Sequence, residues 1–295
     1  MLRRQVVLPA GVRILERTDP GKVGGYRLTG RVGAGGMGVV YTGLASDGRR
    51  VAVKVIRAEY GADSGFHARF AREVELMARV RSPGIAAVLD ADTGAARPWL
   101  VTEYVPGPTL DQQVREHGPP AAGRVRTLAL GVAEALAAVH AAGIVHRDLK
   151  PANVILSPDG PKVLDFGIAR AADETSLTRT GVLIGSSGWI SPEQYQGQGP
   201  GTAADLFALG APGLRRRHPP FGTGTAEAVA FRVLQDEPDL TPVPDELRGL
   251  VTRCLAKDPA DRPLASELVD ALAGQWSPED ALAPTTVLTQ LITEE

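Results

Sequence analysis

The order of apolar and polar positions divides the chain into a strand-rich front and a helix-rich back. Short alternating or apolar runs at residues 26–28, 39–41, 51–55, 88–89 and 99–101 predict strands, with Asp47-Gly48 as a turn between two of them. Phe66, Phe70, Val74 and Met77 recur at helical spacing and predict a helix over 66–80. Val125, Leu128, Val132, Leu136 and Val139 form a second stripe, predicting a helix over 124–142 that Gly143 stops. Amphipathic helices are predicted over 226–236, 245–256 and 264–274. Between the two regions, 154–156 and 162–164 flank Ser157-Pro158-Asp159-Gly160, as two short strands flank a hairpin turn. Residues 1–25 lack a long periodic pattern and carry Pro9, Pro20 and Gly21, which predicts a loosely ordered lead-in. Residues 276–295, with Pro278 and Pro284, read as a frayed tail.

Composition narrows the function classes. A 43% hydrophobic and 22% charged chain of 295 residues is ordinary for a globular protein and large enough for two cores. The net charge of −2 leaves no basic footprint for nucleic acid. Cys254 is the only cysteine, so no internal disulfide forms, and a reducing cytoplasm is the expected compartment. No apolar run reaches the roughly 18 residues of a membrane span. The basic-then-apolar start, Met1 to Leu8, is interrupted too early by Pro9 and Arg13 for a signal peptide. No His or Cys spacing suits zinc; His140 and His146 read as packed, structural histidines.

The candidate chemistry centres on Ile144-Val145-His146-Arg147-Asp148-Leu149-Lys150-Pro151-Ala152-Asn153, followed after the hairpin by Asp165-Phe166-Gly167. A carboxylate that can orient a hydroxyl (Asp148), a cation (Lys150) and two oxygen ligands (Asn153, Asp165) suit phosphoryl transfer from a magnesium nucleotide. These phrases resemble the catalytic and metal-binding loops of protein kinases, and a Lys two residues after the Asp resembles the serine/threonine kind. Gly33-Ala34-Gly35-Gly36-Met37-Gly38 alone also fits a dinucleotide fold or a plain hairpin, but the dinucleotide fold needs a helix after the last glycine. Here a strand pattern follows, as in the phosphate-covering loop of kinases.

The resemblance implies an α+β, two-lobed protein kinase fold over 26–275. It expects a small antiparallel β-sheet lobe plus one helix at 26–103 and a large, mainly helical lobe at 104–275. It also implies roles. Lys54 would hold the α- and β-phosphates of ATP and pair with Glu73; Glu75 points elsewhere on the helix. The backbone of Glu103 and Val105 would bond adenine, with Thr102 at the back of that pocket. Val40 and Ala52 would cover the base and Ile155 would support it, although all three also fit as core residues. Asn153 and Asp165 would hold Mg²⁺, for which Mn²⁺ can substitute. Arg147 would meet a phosphate on the activation loop, where Thr178 and Thr180 resemble the autophosphorylated threonines of bacterial members. Glu193 would pair with Arg262, and Asp205 would open the large buried helix that supports the catalytic loop. The implied partners are ATP and proteins bearing Ser or Thr, with a homodimer compatible with autophosphorylation.

One stretch departs from the pattern. The helix opened by Asp205 should run about four turns through the large lobe, apolar all round. Instead Ala211-Pro212-Gly213-Leu214-Arg215-Arg216-Arg217 follows. An interior Pro costs about 3 kcal/mol and a Gly about 1. A one-base frame shift of these codons admits Leu-Val-Tyr-Ala-Ala, an apolar helix, before His218-Pro219-Pro220-Phe221 resumes the family pattern. The expectation is a helix ending near Gly210 and Ala211, with residues 215–217 partly exposed. The reading is therefore a Ser/Thr kinase. A pseudokinase damaged at 211–217 is the alternative, and a dinucleotide-binding oxidoreductase a distant third.

Overall fold

The computed structural model describes residues 8–9, 11–61, 64–164, 187–211 and 219–274. The chain forms two compact units, the first Met1–Arg81 with Ala86–Gly107, the second Ser82–Ile85 with Pro108–Glu295.

The first unit is built on an antiparallel sheet of β1 (Lys22–Val23), β2 (Tyr26–Ala34), β3 (Gly38–Leu44), β4 (Arg50–Ile56), β5 (Val88–Asp92) and β6 (Trp99–Glu103), in the order β1-β2-β3-β4-β6-β5. Strand alternation sends Val51, Val53 and Val55 of β4 to one face, where they pack with Leu28, Tyr41, Trp99 and Val101. The intervening Ala52 and Lys54 occupy the other face, and Val40 lies directly across from Lys54. After a single turn, α1 (Ala58–Gly61), comes α2 (Ser64–Arg79). The predicted stripe of Phe66, Phe70, Val74 and Met77 is its buried face, and the rings of Phe66 and Phe70 stack with centroids 5.6 Å apart.

The lead-in differs from the expectation. Arg13 and Arg31 exchange two backbone hydrogen bonds (2.9 and 2.8 Å), β1 pairs with β2, and Leu15 packs against the sheet core. The unpaired edge of β2 is the physical reason: its donors and acceptors take up whatever extended chain lies beside them.

The second unit is mainly helical. It holds α3 (Leu110–His117), α4 (Ala122–Ala141), α5 (Pro192–Tyr195), α6 (Thr202–Gly210), α7 (Ala226–Gln235), α8 (Asp245–Cys254) and α9 (Ala265–Gly274), with one hairpin of β7 (Val154–Ser157) and β8 (Gly160–Val163). Helix α3 was not predicted. It starts at a capping box, where the Gln112 amide donates to the Thr109 hydroxyl at 3.1 Å and the Thr109 amide donates to the Gln112 side chain at 2.8 Å. Residues Ser82–Ile85 belong here rather than to the sheet unit, because the Val163 amide donates to Gly84 O and Ile85 bridges Val163. Central α4 buries Val132, Leu136 and Val139, and Arg126 on it donates through Nη2 to Leu272 O of α9 at 2.6 Å. Among the described residues no helix is long and apolar enough to cross a membrane.

Helix α6 ends at Gly210, and the Ala211 amide closes it by donating to Phe207 O at 2.9 Å. The expected end thus coincides with the observed one, whereas residues 212–218, including the three arginines, lie outside the described residues. Beside this end is an apolar pocket, about 510 Å³ counting the solvent at its mouth, lined by Leu209, Val243, Leu247, Cys254, Leu268 and Leu272 among others. Burial pushes the Cys254 thiol up to about 12.

Candidate active site

Residues 144–150 form a short irregular run between α4 and β7, so their backbone groups need partners from elsewhere. Asp205, 1% exposed on α6, supplies them. Its Oδ2 accepts from the His146 amide at 2.7 Å and its Oδ1 from the Arg147 amide at 2.8 Å. His140 Nε2 on α4 donates to the same carboxylate at 2.8 Å. Arg147 has φ 67°, the sole non-glycine in the left-handed region among the described residues. That conformation costs about 1–2 kcal/mol, and the two charge-assisted bonds at its amide and its neighbour's hold it. His146 is fully buried, and its Nε2 donates to Leu164 O at 3.0 Å.

This frame delivers the polar set. Lys150 Nζ donates to Asp148 Oδ2 at 2.7 Å. Asn153 Nδ2 donates to Asp148 O at 2.7 Å and to Asp148 Oδ2 at 3.1 Å. The 3-10 turn Pro151–Asn153 places Asn153, whose amide donates to Lys150 O at 2.8 Å. With the Asn153 nitrogen held by Asp148, its side-chain oxygen is left to act as a hard-cation ligand. Asp148, Lys150 and Asn153 are therefore brought together. Ile155 lies next along β7, bridged to Thr109. A pocket of about 340 Å³, counting the solvent at its mouth, borders Arg147, Asp148, Trp189 and Gln194. Asp165, Thr178 and Thr180 lie outside the described residues.

Glu193 and Arg262 meet in a buried, two-toothed pair, Nη1–Oε1 and Nη2–Oε2 both at 2.7 Å. The other guanidinium donors go to Ala203 O, Lys257 O and Ala256 O at 3.0, 3.1 and 2.9 Å, so all five N–H groups are used. Burial pushes the Glu193 carboxyl up, but Arg262 and the remaining hydrogen bonds outweigh that and hold it below its ordinary value.

In the first unit, 33–38 cap the β2–β3 hairpin. Gly33 pairs Val40, Ala34 pairs Val39, and the Gly35 amide donates to Gly38 O at 2.9 Å. Arg57 fastens the tip: its amide donates to Met37 O at 2.8 Å and its Nη2 to Gly35 O at 3.1 Å. The four glycines have different reasons to be there. A Cβ on Gly38 would sit 2.2 Å from Val55 O, so β4 itself excludes a side chain. At Gly33, Gly35 and Gly36 a Cβ would meet nothing within 4 Å, and none of the three has positive φ. Among the described residues nothing requires glycine at those three positions.

Lys54 and Glu73 are both half-buried, on β4 and α2; Glu75 is exposed and pairs with Arg79. Ala52 lies two residues from Lys54 on the same face and pairs with Thr102 of β6. The Thr102 hydroxyl donates to Glu103 O at 3.2 Å, the Glu103 amide to Ala87 O at 2.9 Å, and Val105 is buried. By its place on the helical stripe His140 reads only as a packing residue. Its partner Asp205 is 65 positions away, and no local pattern signals that contact.

Comparisons with known proteins agree with this architecture. The protein kinase domain family matches residues 26–272. The chain is 45% identical over 269 residues to the probable serine/threonine-protein kinase PkwA of Thermomonospora curvata, covering 90% of this chain and 36% of that protein. It is 46% identical over 262 residues to the serine/threonine-protein kinase AfsK of Streptomyces coelicolor, covering 88% and 33%. The chain thus spans about a third of the length of these relatives. A crystal structure of the Mycobacterium tuberculosis PknI kinase domain superposes with a TM-score of 0.67 at 30% identity, covering 91% of this chain and 99% of that one. With the family match spanning most of its length and its folded units following the same plan, the chain belongs to the protein kinase family, of the bacterial serine/threonine kind.

Proposed function

We propose that this chain transfers the γ-phosphoryl group of ATP to Ser and Thr hydroxyls of proteins, its own included. The observation that carries the reading is the Asp148–Lys150–Asn153 constellation, held on a strained loop by Asp205. Among the described residues the side-chain bonds to Asp148 fall on Oδ2; we assign Oδ1 to orient the acceptor hydroxyl and take its proton. Lys150, already beside that carboxylate, offsets charge on the transferring group. Lys54, steadied by Glu73, positions the α- and β-phosphates. The open space at Gly33, Gly35 and Gly36 fits a phosphate chain, since a Cβ on any of them would occupy it. Adenine is assigned to the backbone of Glu103 and Val105, with Val40, Ala52 and Ile155 as its proposed apolar contacts.

A hard divalent cation, Mg²⁺ or Mn²⁺, fits the oxygen donors of Asn153 and Asp165 and would offset phosphate charge there. Among the described residues no cluster of three or more His, Cys, Asp or Glu forms a separate metal site. We assign Thr178 and Thr180 as phosphate acceptors and Arg147 as the cation that meets the phosphate. The working compartment is taken to be the cytoplasm, and a homodimer would let one copy phosphorylate another.

Asp148→Asn should retain ATP binding and lose transfer, because an amide cannot accept the hydroxyl proton. Purified protein with labelled ATP tests this, the expected wild-type scale being about 1–100 s⁻¹ once activated. A kcat for Asp148→Asn within about tenfold of wild type would rule out the assignment, that factor being only about 1.4 kcal/mol of barrier. For the switch, full activity of the Thr178→Ala/Thr180→Ala double variant on an added substrate would remove those threonines from it.

A further inference from the structure

The hairpin carrying 33–38 is fastened at its base by a residue outside the matched kinase domain. Arg31 of β2 and Tyr41 of β3 are cross-strand partners at the last regular position before the glycine segment; an irregularity in the register separates them from the Gly33 and Val40 pair. Asp19 of the lead-in holds both strands. The Tyr41 hydroxyl donates to Asp19 Oδ1 at 2.7 Å, and Arg31 Nη1 lies 3.7 Å from the same oxygen. Asp19 is itself fixed, its Oδ2 accepting from the Glu16 amide at 2.8 Å and its amide donating to Glu16 O at 3.0 Å. Glu16 completes the group by pairing with Arg31. The Asp19 side chain is 6% exposed and Tyr41 3%. Burial and the bond to Asp19 push the Tyr41 phenol up to about 12, so it stays a donor at any working pH.

The glycines have no side chains with which to hold the segment in place. Beyond the strand pairing of 33, 34 and 38 and buried Met37, it is fastened by Arg57 at the tip and by this clamp at the base. We propose that Asp19, through Tyr41 and Arg31, is a positioning residue for nucleotide: it holds the glycine hairpin where its amides meet the phosphates. This rests on the reading that residues 33–38 cover the phosphates of ATP. A hairpin released at its base spends only part of its time in the binding-competent position, and the apparent affinity falls by that fraction. If a third to a tenth of the population stays competent, binding weakens about three- to tenfold. The rate at saturating ATP is unaffected, because the clamp touches none of the reacting groups.

The test uses the full chain with Tyr41→Phe, Asp19→Asn and the double variant. Tyr41→Phe keeps the buried ring and removes only the hydroxyl, so it folds even where a change at Asp19 does not. The readouts are the calorimetric Kd for Mg·ATP and the autophosphorylation rate at saturating ATP, each per folded molecule. Gly36→Val reports on the phosphate reading itself. The expected result is a Kd raised about three- to tenfold in both single variants and scarcely more in the double, as for residues acting as one unit. The saturating rate should stay within about twofold, and Gly36→Val should also weaken binding. Unchanged Kd in the clamp variants, with Gly36→Val weakened, overturns the inference and leaves the phosphate reading standing. Unchanged Kd in all of them overturns both. A loss of saturating rate with unchanged Kd assigns Asp19 a different role and equally refutes the proposal.

Discussion

Replacing Asp205 by Asn alters one atom and removes one charge at a site 1% exposed. Among the described residues the carboxylate accepts three hydrogen bonds, from the His146 amide (2.7 Å), the Arg147 amide (2.8 Å) and His140 Nε2 (2.8 Å). An Asn side chain has one oxygen, and its nitrogen is a donor. Whichever way it turns, one backbone N–H of the catalytic segment then faces an NH₂ group. A buried donor left unmet costs about 1–3 kcal/mol, and each remaining bond drops from charge-assisted to neutral, losing about 1 kcal/mol more. The sum is about 3–5 kcal/mol, against roughly 5–15 for a whole domain. Part of that loss should appear as relaxation of Arg147 from φ 67°, since the strain of about 1–2 kcal/mol is no longer opposed. Two measurements follow. Amide hydrogen exchange at His146 and Arg147 should accelerate at least a hundredfold, about 2.7 kcal/mol of local protection. Transfer should fall by a similar factor, while Kd for Mg·ATP changes little. A variant with both amides still protected and transfer within about threefold of wild type would refute the claim that Asp205 holds the loop.

The Glu193–Arg262 pair yields a stability prediction and a pH prediction. Arg262→Ala leaves a buried carboxylate and three backbone carbonyls unmet, and should cost about 3–5 kcal/mol in urea unfolding at neutral pH; a loss below 1 kcal/mol contradicts it. Because the folded Glu193 carboxyl sits below its ordinary 4.5, the unfolded chain binds the proton more readily. Its contribution is full above 4.5 and fades as pH falls through the lowered folded value, so Glu193→Gln should flatten the acid limb of the stability curve. An unchanged limb would show that other carboxylates set it. Gly38→Ala, with its Cβ 2.2 Å from Val55 O, should destabilise the sheet unit by about 1–3 kcal/mol. Gly36→Ala should leave thermal unfolding unmoved, and equal melting shifts in the two would refute this division of roles.

What was legible in the sequence is what short-range pattern encodes. The period of Phe66, Phe70, Val74 and Met77 fixed both the helix and its buried face. The Pro151 turn sets the spacing that puts Asn153 beside Asp148, and Pro158 and Asp159 mark the turn between β7 and β8. Helix α3 escaped because its apolar period is too short, with Gln113 on its buried side, yet Thr109 and Gln112 carried a capping signal three residues apart. The order of the lead-in is not local either. Its order comes from β2 and from Tyr41, a partner 22 positions away, and no local property of Asp19 announces that bond. His140 and Ser82–Ile85 are of the same kind: their places are set by tertiary contacts.

Cys254 has a practical consequence. It is the single cysteine of the chain, 3% exposed, with its thiol pushed up to about 12, so almost none of it is thiolate at neutral pH and it reacts slowly with thiol reagents. For thiol-directed chemistry the folded protein is therefore already a blank background. A cysteine introduced on the surface, for instance at exposed Asp47 or Glu75, becomes the sole target of a maleimide dye or spin label with no other residue altered. Uptake of label by the unmodified chain, in turn, reports opening of the helical unit around α8.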